Sequence, residues 1–260
     1  MTATWQEILE RPGNDSPHIA QVYQDDTFLL EGVGRFVRTG LREGEGVVLI
    51  MRASRREAVM AQLRREDVDL AEAEERGQVA VHDADELLKA VTKNGTPDRH
   101  AFHRVVGDAI RGMRRRYRVV RAFGEMVDML WREGRGDDAT RLEAFWRELA
   151  RIEPFALLCA YHLDMLNAEK YGDAFDSMCR THTHIIPARD YRRLDEAVSR
   201  ASHDVLDVTT VMMLETVAER DRPLAEMPRG QVILLWLSRN MPRTAEKVLA
   251  RVRALYNAAA

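Results

Sequence analysis

The sequence has few cysteines and no long apolar run, and each shortage excludes a class of protein. Its two cysteines, Cys159 and Cys179, are too few for a disulfide framework, which fits a reducing compartment. The longest apolar stretches, 155–161 and 232–237, are far shorter than the roughly 20 residues that a membrane helix needs. The N-terminal segment also lacks the basic and apolar regions of a secretory signal. We therefore expect a soluble cytoplasmic protein that has no membrane partner.

Glycine and lysine are missing where a nucleotide-binding α/β protein carries its phosphate loop. Such a loop needs glycines, so that backbone N–H groups can face phosphate, together with a lysine and a hydroxyl residue. Here the loop after the first predicted strand is Tyr23–Thr27, YQDDT, which contains neither glycine nor lysine. Two aspartates at a helix start suit the helix dipole but repel a triphosphate. We therefore predict that the protein has no ATPase activity.

The residues that are present allow a large core, since 45% are hydrophobic and 31% are charged, with a net charge of −3. Between residues 18 and 187, short apolar runs alternate with helical patterns. This alternation is typical of βα units around a mainly parallel sheet, so the predicted fold class is α/β with flanking helices. The predicted strands are His18–Tyr23, Val47–Met51, Gln78–His82, Val119–Phe123, Phe155–Tyr161 and His184–Ile186.

The pattern divides the chain into three segments: an N-terminal lead-in (1–17), an α/β domain (18–190) and a helical C-terminal segment (191–260). Apolar residues between 192 and 219 step by four, three, four, three and four positions, as in a coiled-coil seam. We expect this helix to form a homodimer, while packing of the seam within its own chain is the alternative. The seam consists of Leu194, Val198, Ala201, Val205, Val208 and Met212.

Several blocks of the sequence resemble one known family. HIAQVYQDDTFLLEGVGRFVRTGLREGEGVVLI opens the α/β domain, and RAFGEMVDMLWREG, TRLEAFWREL, FALLCAY and CRTHTHIIP follow. In this order they are similar to the MEDS domain, a sensory domain named after methanogens, methylotrophs and the dichloromethane-responsive regulator DcmR. The resemblance implies a RecA/KaiC-like core with a degenerate phosphate loop and a role in sensing small organic ligands. The best-known member carries a DNA-binding helix-turn-helix, for which the N-terminal lead-in leaves no room.

Two arguments nominate residues that bind the ligand. Ligands of open α/β sheets lie at the carboxyl ends of strands, which nominates five residues there. Matching the family blocks residue by residue adds five more, for which the resemblance is the reason. For each of these residues a purely structural role is the alternative to ligand binding, such as that of a salt-bridged helix carboxylate or a buried thiol. The strand-end residues are Tyr23, Gln24, Asp25, Glu125 and Tyr161, and the residues from the family blocks are His18, Glu143, Trp146, Cys159 and His182.

Cysteine and histidine recur in Cys179-x-x-His182-x-His184, and both residue types bind metals. The spacing is not that of a zinc finger, and further ligands are not adjacent in the sequence, so we predict no metal site. The catalytic patterns Gly-x-Ser-x-Gly and His-Glu-x-x-His are absent. We therefore predict that the protein is not an enzyme, and the sequence leaves any cofactor unknown.

These features favour a signalling protein whose α/β domain binds a small molecule and whose helical segment transmits the signal. A downstream regulatory protein is a further partner that this function would allow. One alternative is a RecA/KaiC-like nucleotide-binding protein with an altered phosphate site. Another is a nucleic-acid-binding regulator, because residues 221–260 hold seven basic and three acidic side chains. Three of the basic ones, Arg243, Lys247 and Arg251, recur every four positions. Nucleic acid is the less favoured partner.

Overall fold

A computed structural model describes residues 3–12, 16–166, 175, 177–220 and 225–258, with the side chain of Glu219 left out. Within these residues a six-stranded sheet has the order β3-β2-β6-β7-β1-β8, and its strand pairs are parallel. The α/β class and the mainly parallel sheet are thus confirmed. The strands are β1 (His18–Tyr23), β2 (Gly46–Met51), β3 (Val79–Asp83), β6 (Val120–Gly124), β7 (Ala156–His162) and β8 (His184–Ile186), with a separate hairpin of β4 (Thr92–Lys93) and β5 (Thr96–Pro97).

Helices cover both faces of this sheet, as expected for strands that are apolar on both sides. Helices α1 to α4 and a second set formed by α5 to α8 with the C-terminal helices enclose separate hydrophobic clusters. The helices are α1 (Trp5–Glu10), α2 (Asp26–Arg42), α3 (Ala53–Arg65), α4 (Leu70–Glu75), α5 (Ala84–Val91), α6 (Arg99–Arg114), α7 (Met126–Arg132), α8 (Gly136–Ile152), α9 (177–181), α10 (Tyr191–Val205), α11 (Val208–Arg220), α12 (Arg229–Asn240) and α13 (Pro242–Ala258).

The N-terminal lead-in, residues 1–17, contains helix α1, an element that was not predicted from the sequence. Thr4 accepts the backbone N–H of Glu7, and the Glu7 side chain accepts that of Thr4, which forms a capping box. The helix buries Trp5, Ile8 and Leu9 against the α2 side of the sheet. The Thr-x-x-Glu spacing in the sequence is typical of a capping box and indicates the start of this helix. An Asn-Gly turn likewise indicates the hairpin, whose Asn94 and Gly95 have φ of 51° and 85°.

The prediction of one continuous helix over 192–219 was wrong, because the structure has two helices there. The helix ends at Val205, and Asp207 starts α11 by accepting the backbone N–H of Thr210 at 3.0 Å. The first half of the seam is buried within the chain, where α10 packs on α12 and α13. The second half is not, since Val208 and Met212 are 67% and 65% exposed. The seam is therefore split between an internal contact and an open surface.

The C-terminal helices share a core with the sheet. The N–H of Ile185 in β8 donates to the carbonyl of Glu226 at 2.9 Å, and the N–H of Glu226 donates to that of Thr183 at 2.7 Å. One hydrophobic cluster contains strand residues such as Ala20 together with Val248 of α13. Among the described helices, none is both long and apolar enough to cross a membrane.

Candidate functional site

A cavity of about 240 Å³ lies where β1 and β7 end, between the sheet and the last helix. Strand β1 stops at Tyr23, and Gln24 and Asp25 continue into the cavity wall, so three predicted ligand residues meet here. We call it the strand-end cavity. Its lining combines this edge with the segment after β7 and with α13, and includes Phe28, Leu163, Asp164, Met165, Leu166, Ala188, Arg253 and Tyr256.

Polar contacts tie the walls of the strand-end cavity together. The Gln24 side chain donates to the Asp164 carboxylate at 2.9 Å, and Arg253 of α13 forms an ion pair with the same carboxylate. The guanidinium of Arg193 lies 4.6 Å from the ring centroid of Tyr256 and donates to its carbonyl. The Asp164 carboxylate thus links α13 to the residue that follows β1.

The start of α2, which borders this cavity, is already occupied by acidic groups. Asp25 caps the helix by accepting the backbone N–H of Phe28 at 2.9 Å. Asp26 forms an ion pair with Arg55 at 2.8 Å. A carboxylate therefore fills the position in which a phosphate loop would hold a phosphate group.

Behind Tyr23 lies a buried charged group that we call the arginine cluster: Tyr23, Arg52, Arg55, Glu125 and Asp128. The Glu125 carboxylate accepts the backbone N–H of Arg52 at 2.8 Å and the Nε–H of Arg55 at 3.0 Å. The hydroxyl of Tyr23 donates to Asp128 at 2.9 Å. Burial, reinforced by the Asp128 charge, raises the pKa of Tyr23. Glu125 is fully buried and does not line the strand-end cavity, so its place is among the supports of the cavity wall.

Five other predicted residues come together on one face of the sheet, beside β1 from its first residue to the level of Val22, and we call them the histidine cluster: His18, Glu143, Cys159, Tyr161 and His182. They arrive from β1, α8, β7 and the residue after α9, and each is at most 5% exposed. Parallel pairing aligns Ala20 with Cys159, so the even-numbered residues of β1 and the odd-numbered residues of β7 share a face. The cluster therefore sits between the sheet and α8.

The distances within the histidine cluster are short. His18 Nε2 lies 3.3 Å from the Cys159 sulfur and 3.2 Å from Glu143 Oε2. His182 Nε2 lies 3.6 Å from Glu143 Oε1, to which the Tyr161 hydroxyl donates. The two imidazole rings are 4.0 Å apart between centroids.

Burial and charge shift the titration of these groups. Burial alone would raise the pKa of Glu143, but the charges of His182 and His18 and the hydrogen bonds around the carboxylate lower it to about 2. Burial lowers the pKa of His182 to about 3, and it raises the pKa of Cys159 well above its usual range. Burial therefore favours a neutral His182 and a protonated Cys159 thiol, whereas the groups around Glu143 favour its ionised carboxylate.

The remaining predicted residue, Trp146, belongs to the core. Its indole lies edge-on to Phe102 at 5.1 Å between ring centroids and against Gly124, where an added Cβ would come within 3.4 Å of the ring. Sequence reasoning missed Asp128, Asp164, Arg55 and Arg253, whose partners are distant in sequence. Arg253 was noticed only as one of the basic side chains of the C-terminal segment.

A larger cavity of about 620 Å³ lies at the amino edge of the sheet. It is bordered by Pro12 and Ser16, on either side of residues 13–15, which lie outside the described residues. It contains none of the predicted site residues. Ligands of open parallel sheets bind at the carboxyl ends of the strands, so the strand-end cavity is the better candidate despite its smaller volume.

Comparison with known proteins agrees with this geometry. No curated protein matches the chain. The family model of the methanogen/methylotroph, DcmR sensory (MEDS) domain matches residues 17–183, which is well over half of the chain and includes both polar clusters. The family resemblance is thus confirmed, and with it a role in sensing and signalling. The protein belongs to the MEDS family of sensory domains.

Proposed function

We propose that this protein senses a small organic molecule that binds in the strand-end cavity and thereby changes the position of the C-terminal helices. The observation that carries the proposal is the lining of the cavity, which combines the family domain (Tyr23 and Gln24) with α13 (Arg253 and Tyr256). A ligand there touches both the sensory domain and the segment that follows it. Its volume of about 240 Å³ suits a molecule of a few heavy atoms rather than a nucleotide.

The polar contacts across the cavity supply a route for the signal. Asp164 holds Gln24 and Arg253 together, so a ligand that displaces either side chain releases α13 from the end of β1. A ligand shifts such an equilibrium only by its difference in affinity for the two arrangements. We therefore expect a polar group on the ligand that competes for Asp164 or Arg253, and an apolar part that contacts Leu163 and Met165.

The proposal includes the absence of ATP turnover and of enzymatic activity. It is supported by the phosphate position at the start of α2, where the Asp25 carboxylate caps the helix, and by the missing lysine. Magnesium-dependent ATP hydrolysis that survives purification and disappears in Asp25→Asn would contradict this part of the proposal.

Self-association is a further part of the proposal, now limited to the open half of the seam. Val208 and Met212 of the seam and the neighbouring Met213 are 67%, 65% and 43% exposed, whereas Leu194, Val198 and Ala201 are buried inside the chain. Sedimentation of wild type and Met212→Glu tests it. A wild-type chain that stays monomeric at tens of micromolar excludes the dimer.

Native mass spectrometry of the full chain, purified from its own host, tests ligand binding. Ala188 lines the cavity and is half-buried, so Ala188→Trp fills the cavity and Ala188→Ser is the matched control. We expect a retained small molecule in wild type and in the serine variant, and its loss in the tryptophan variant. A molecule that remains bound in a folded Ala188→Trp protein would place the ligand site elsewhere.

A further inference from the structure

We propose that the histidine cluster binds one divalent transition-metal cation, with His18, Glu143, Cys159 and His182 as its ligands. One potential ligand atom from each of these four residues lies within 4.8 Å of all the others. Two imidazoles, a thiolate and a carboxylate form a ligand set typical of zinc and neighbouring metals. The inference does not depend on the strand-end cavity, which is built from other residues.

The protons of both imidazoles are held on the outer side of the cluster. His18 Nδ1 lies 3.0 Å from the carbonyl oxygen of Thr181, and His182 Nδ1 lies 3.0 Å from that of Met178. A carbonyl oxygen only accepts. The Thr181 hydroxyl, 2.9 Å from His182 Nδ1, has the carbonyls of Ser177 and Met178 as its own acceptors, so we assign the proton of each ring to Nδ1. Both Nε2 lone pairs then face the interior, which is how proteins orient histidines that bind metals.

Several acceptors face one another inside the cluster. Glu143 Oε2 and His182 Nε2 are buried and make no hydrogen bond within the described residues, although the ion-pair distance from Oε2 to His18 Nε2 is 3.2 Å. Unsatisfied buried polar atoms are costly, and lone pairs that face a carboxylate oxygen repel it. A shared cation would remove both penalties.

A protonated His18 is the competing explanation for this arrangement. One proton on His18 Nε2 would satisfy Glu143 Oε2, and the Cys159 thiol would then share the same carboxylate as its acceptor. The lone pair of His182 would still face Glu143 Oε1 at 3.6 Å with no proton between them. One proton thus serves one contact, whereas one metal ion serves all four ligands.

The spacing suits a metal ion after only small movements. Bonds of about 2.0–2.3 Å in a tetrahedral site place neighbouring ligand atoms about 3.3–3.7 Å apart. His18 Nε2 lies 3.3 Å from Cys159 Sγ and 3.2 Å from Glu143 Oε2, close to this range. His182 Nε2 lies 3.6 Å from the other oxygen, Oε1, so both oxygens of Glu143 face the site and one of them would become the ligand. A thiolate and a carboxylate also balance a divalent charge, which a buried site needs.

The site is of the closed, structural kind. The adjoining cavity, next to Glu143 and Tyr161, has a volume of only about 10 Å³, which does not admit an organic molecule. Four protein ligands leave no open position, and they join β1, β7, α8 and the end of α9. The metal would therefore fix the sheet to the segment that leads into the C-terminal helices.

Cobalt(II) is the probe for this site, since a thiolate ligand gives a sulfur-to-cobalt charge-transfer band and tetrahedral geometry gives intense visible bands. The full chain is treated with a chelator and titrated with cobalt, then with zinc in competition. We expect one equivalent to bind with both spectral features, and zinc to displace it. A folded wild-type chain that binds neither metal, or that binds cobalt without the charge-transfer band, overturns the proposal.

Matched variants assign the ligands. Cys179→Ala should keep the charge-transfer band, which leaves Cys159 as the sulfur ligand even if Cys159→Ser fails to fold. His182→Gln should weaken cobalt binding by more than about a hundredfold, since loss of an outer contact alone costs about 10–100-fold. His184→Gln is its control, because His184 lies two residues away in β8 and outside the group of four ligands. Unchanged binding in folded Cys159→Ser or His182→Gln would show that the metal binds elsewhere.

Discussion

One polar cluster contains the first residue of β1, His18, and the other contains its last residue, Tyr23, and the two clusters bury their carboxylates in different ways. In the arginine cluster, Glu125 receives the guanidinium of Arg55 and a backbone N–H. In the histidine cluster, the partners of Glu143 include His18, His182, Tyr161 and the Cys159 thiol. A buried charge needs an opposite charge. The arginine cluster supplies that charge from its own side chains, whereas the histidine cluster offers side chains that can bind a metal ion.

The largest expected loss of stability comes from a variant that breaks the arginine cluster. Glu125→Gln removes the carboxylate and leaves Arg55, which is 7% exposed, without its buried counter-charge. We expect the free energy of unfolding to fall by about 3 kcal/mol, because the buried guanidinium then keeps only the exposed carboxylate of Asp26 as its ion-pair partner among the described residues. Urea denaturation measures it. Glu148→Gln, which removes an exposed partner of Arg99, is the control and should change little. Equal effects in the two variants would contradict the difference in burial.

The next effect concerns metal and should be confined to the histidine cluster. Zinc at a hundred times its dissociation constant should add about 2.7 kcal/mol to the free energy of unfolding of the chelator-treated protein. The same addition should leave Cys159→Ser unchanged, whereas Cys179→Ala should gain as wild type does. Zinc that stabilises all three proteins equally would mean that it binds outside the cluster.

A pair of tyrosine variants sharpens the comparison, because each cluster contains one tyrosine–carboxylate hydrogen bond. Tyr161→Phe removes a hydroxyl donor from Glu143, and we expect a loss of about 1.5–3 kcal/mol in the metal-free protein. Tyr23→Phe should cost about 1 kcal/mol, since Asp128 keeps the backbone N–H of His162 at 2.7 Å. Urea denaturation of both variants gives the ranking, and the reverse order would contradict it.

The smallest effect concerns a histidine outside both clusters. Burial lowers the pKa of His82 below its value of 6.5 in an unfolded chain. Below pH 6.5 the unfolded chain therefore binds more protons than the folded one, so this contribution to stability is present above pH 6.5 and is lost as the pH falls. His82→Asn should reduce the loss of stability between pH 7.5 and 5.5 in urea denaturation. The variant His100→Asn, at an exposed histidine, is the control and should lose as much stability over this pH range as wild type.

Much of the fold was legible in the sequence because buried parallel strands are continuous apolar runs. All six strands of the main sheet were predicted to within one or two residues, and β1 and β8 had their observed bounds. The misses were elements with local signals that were overlooked, the capping box of Thr4 and Glu7 and the Asn94-Gly95 turn. The continuous helix over 192–219 failed for another reason. Its apolar spacing continues past Asp207, where a cap starts a new helix.

The sequence by itself determined the strands, the lack of glycine and lysine in the loop Tyr23–Thr27 and the residue types of the site. Only the tertiary structure decided which of those residues meet. Residues 18, 143, 159 and 182 are far apart along the chain, and the pairing of β1 with β7 and the packing of α8 and α9 bring them within 4.8 Å. Likewise, only the packing of α13 closes the strand-end cavity. Local patterns follow from neighbouring residues, whereas a site is set by burial of surfaces that are distant in the sequence.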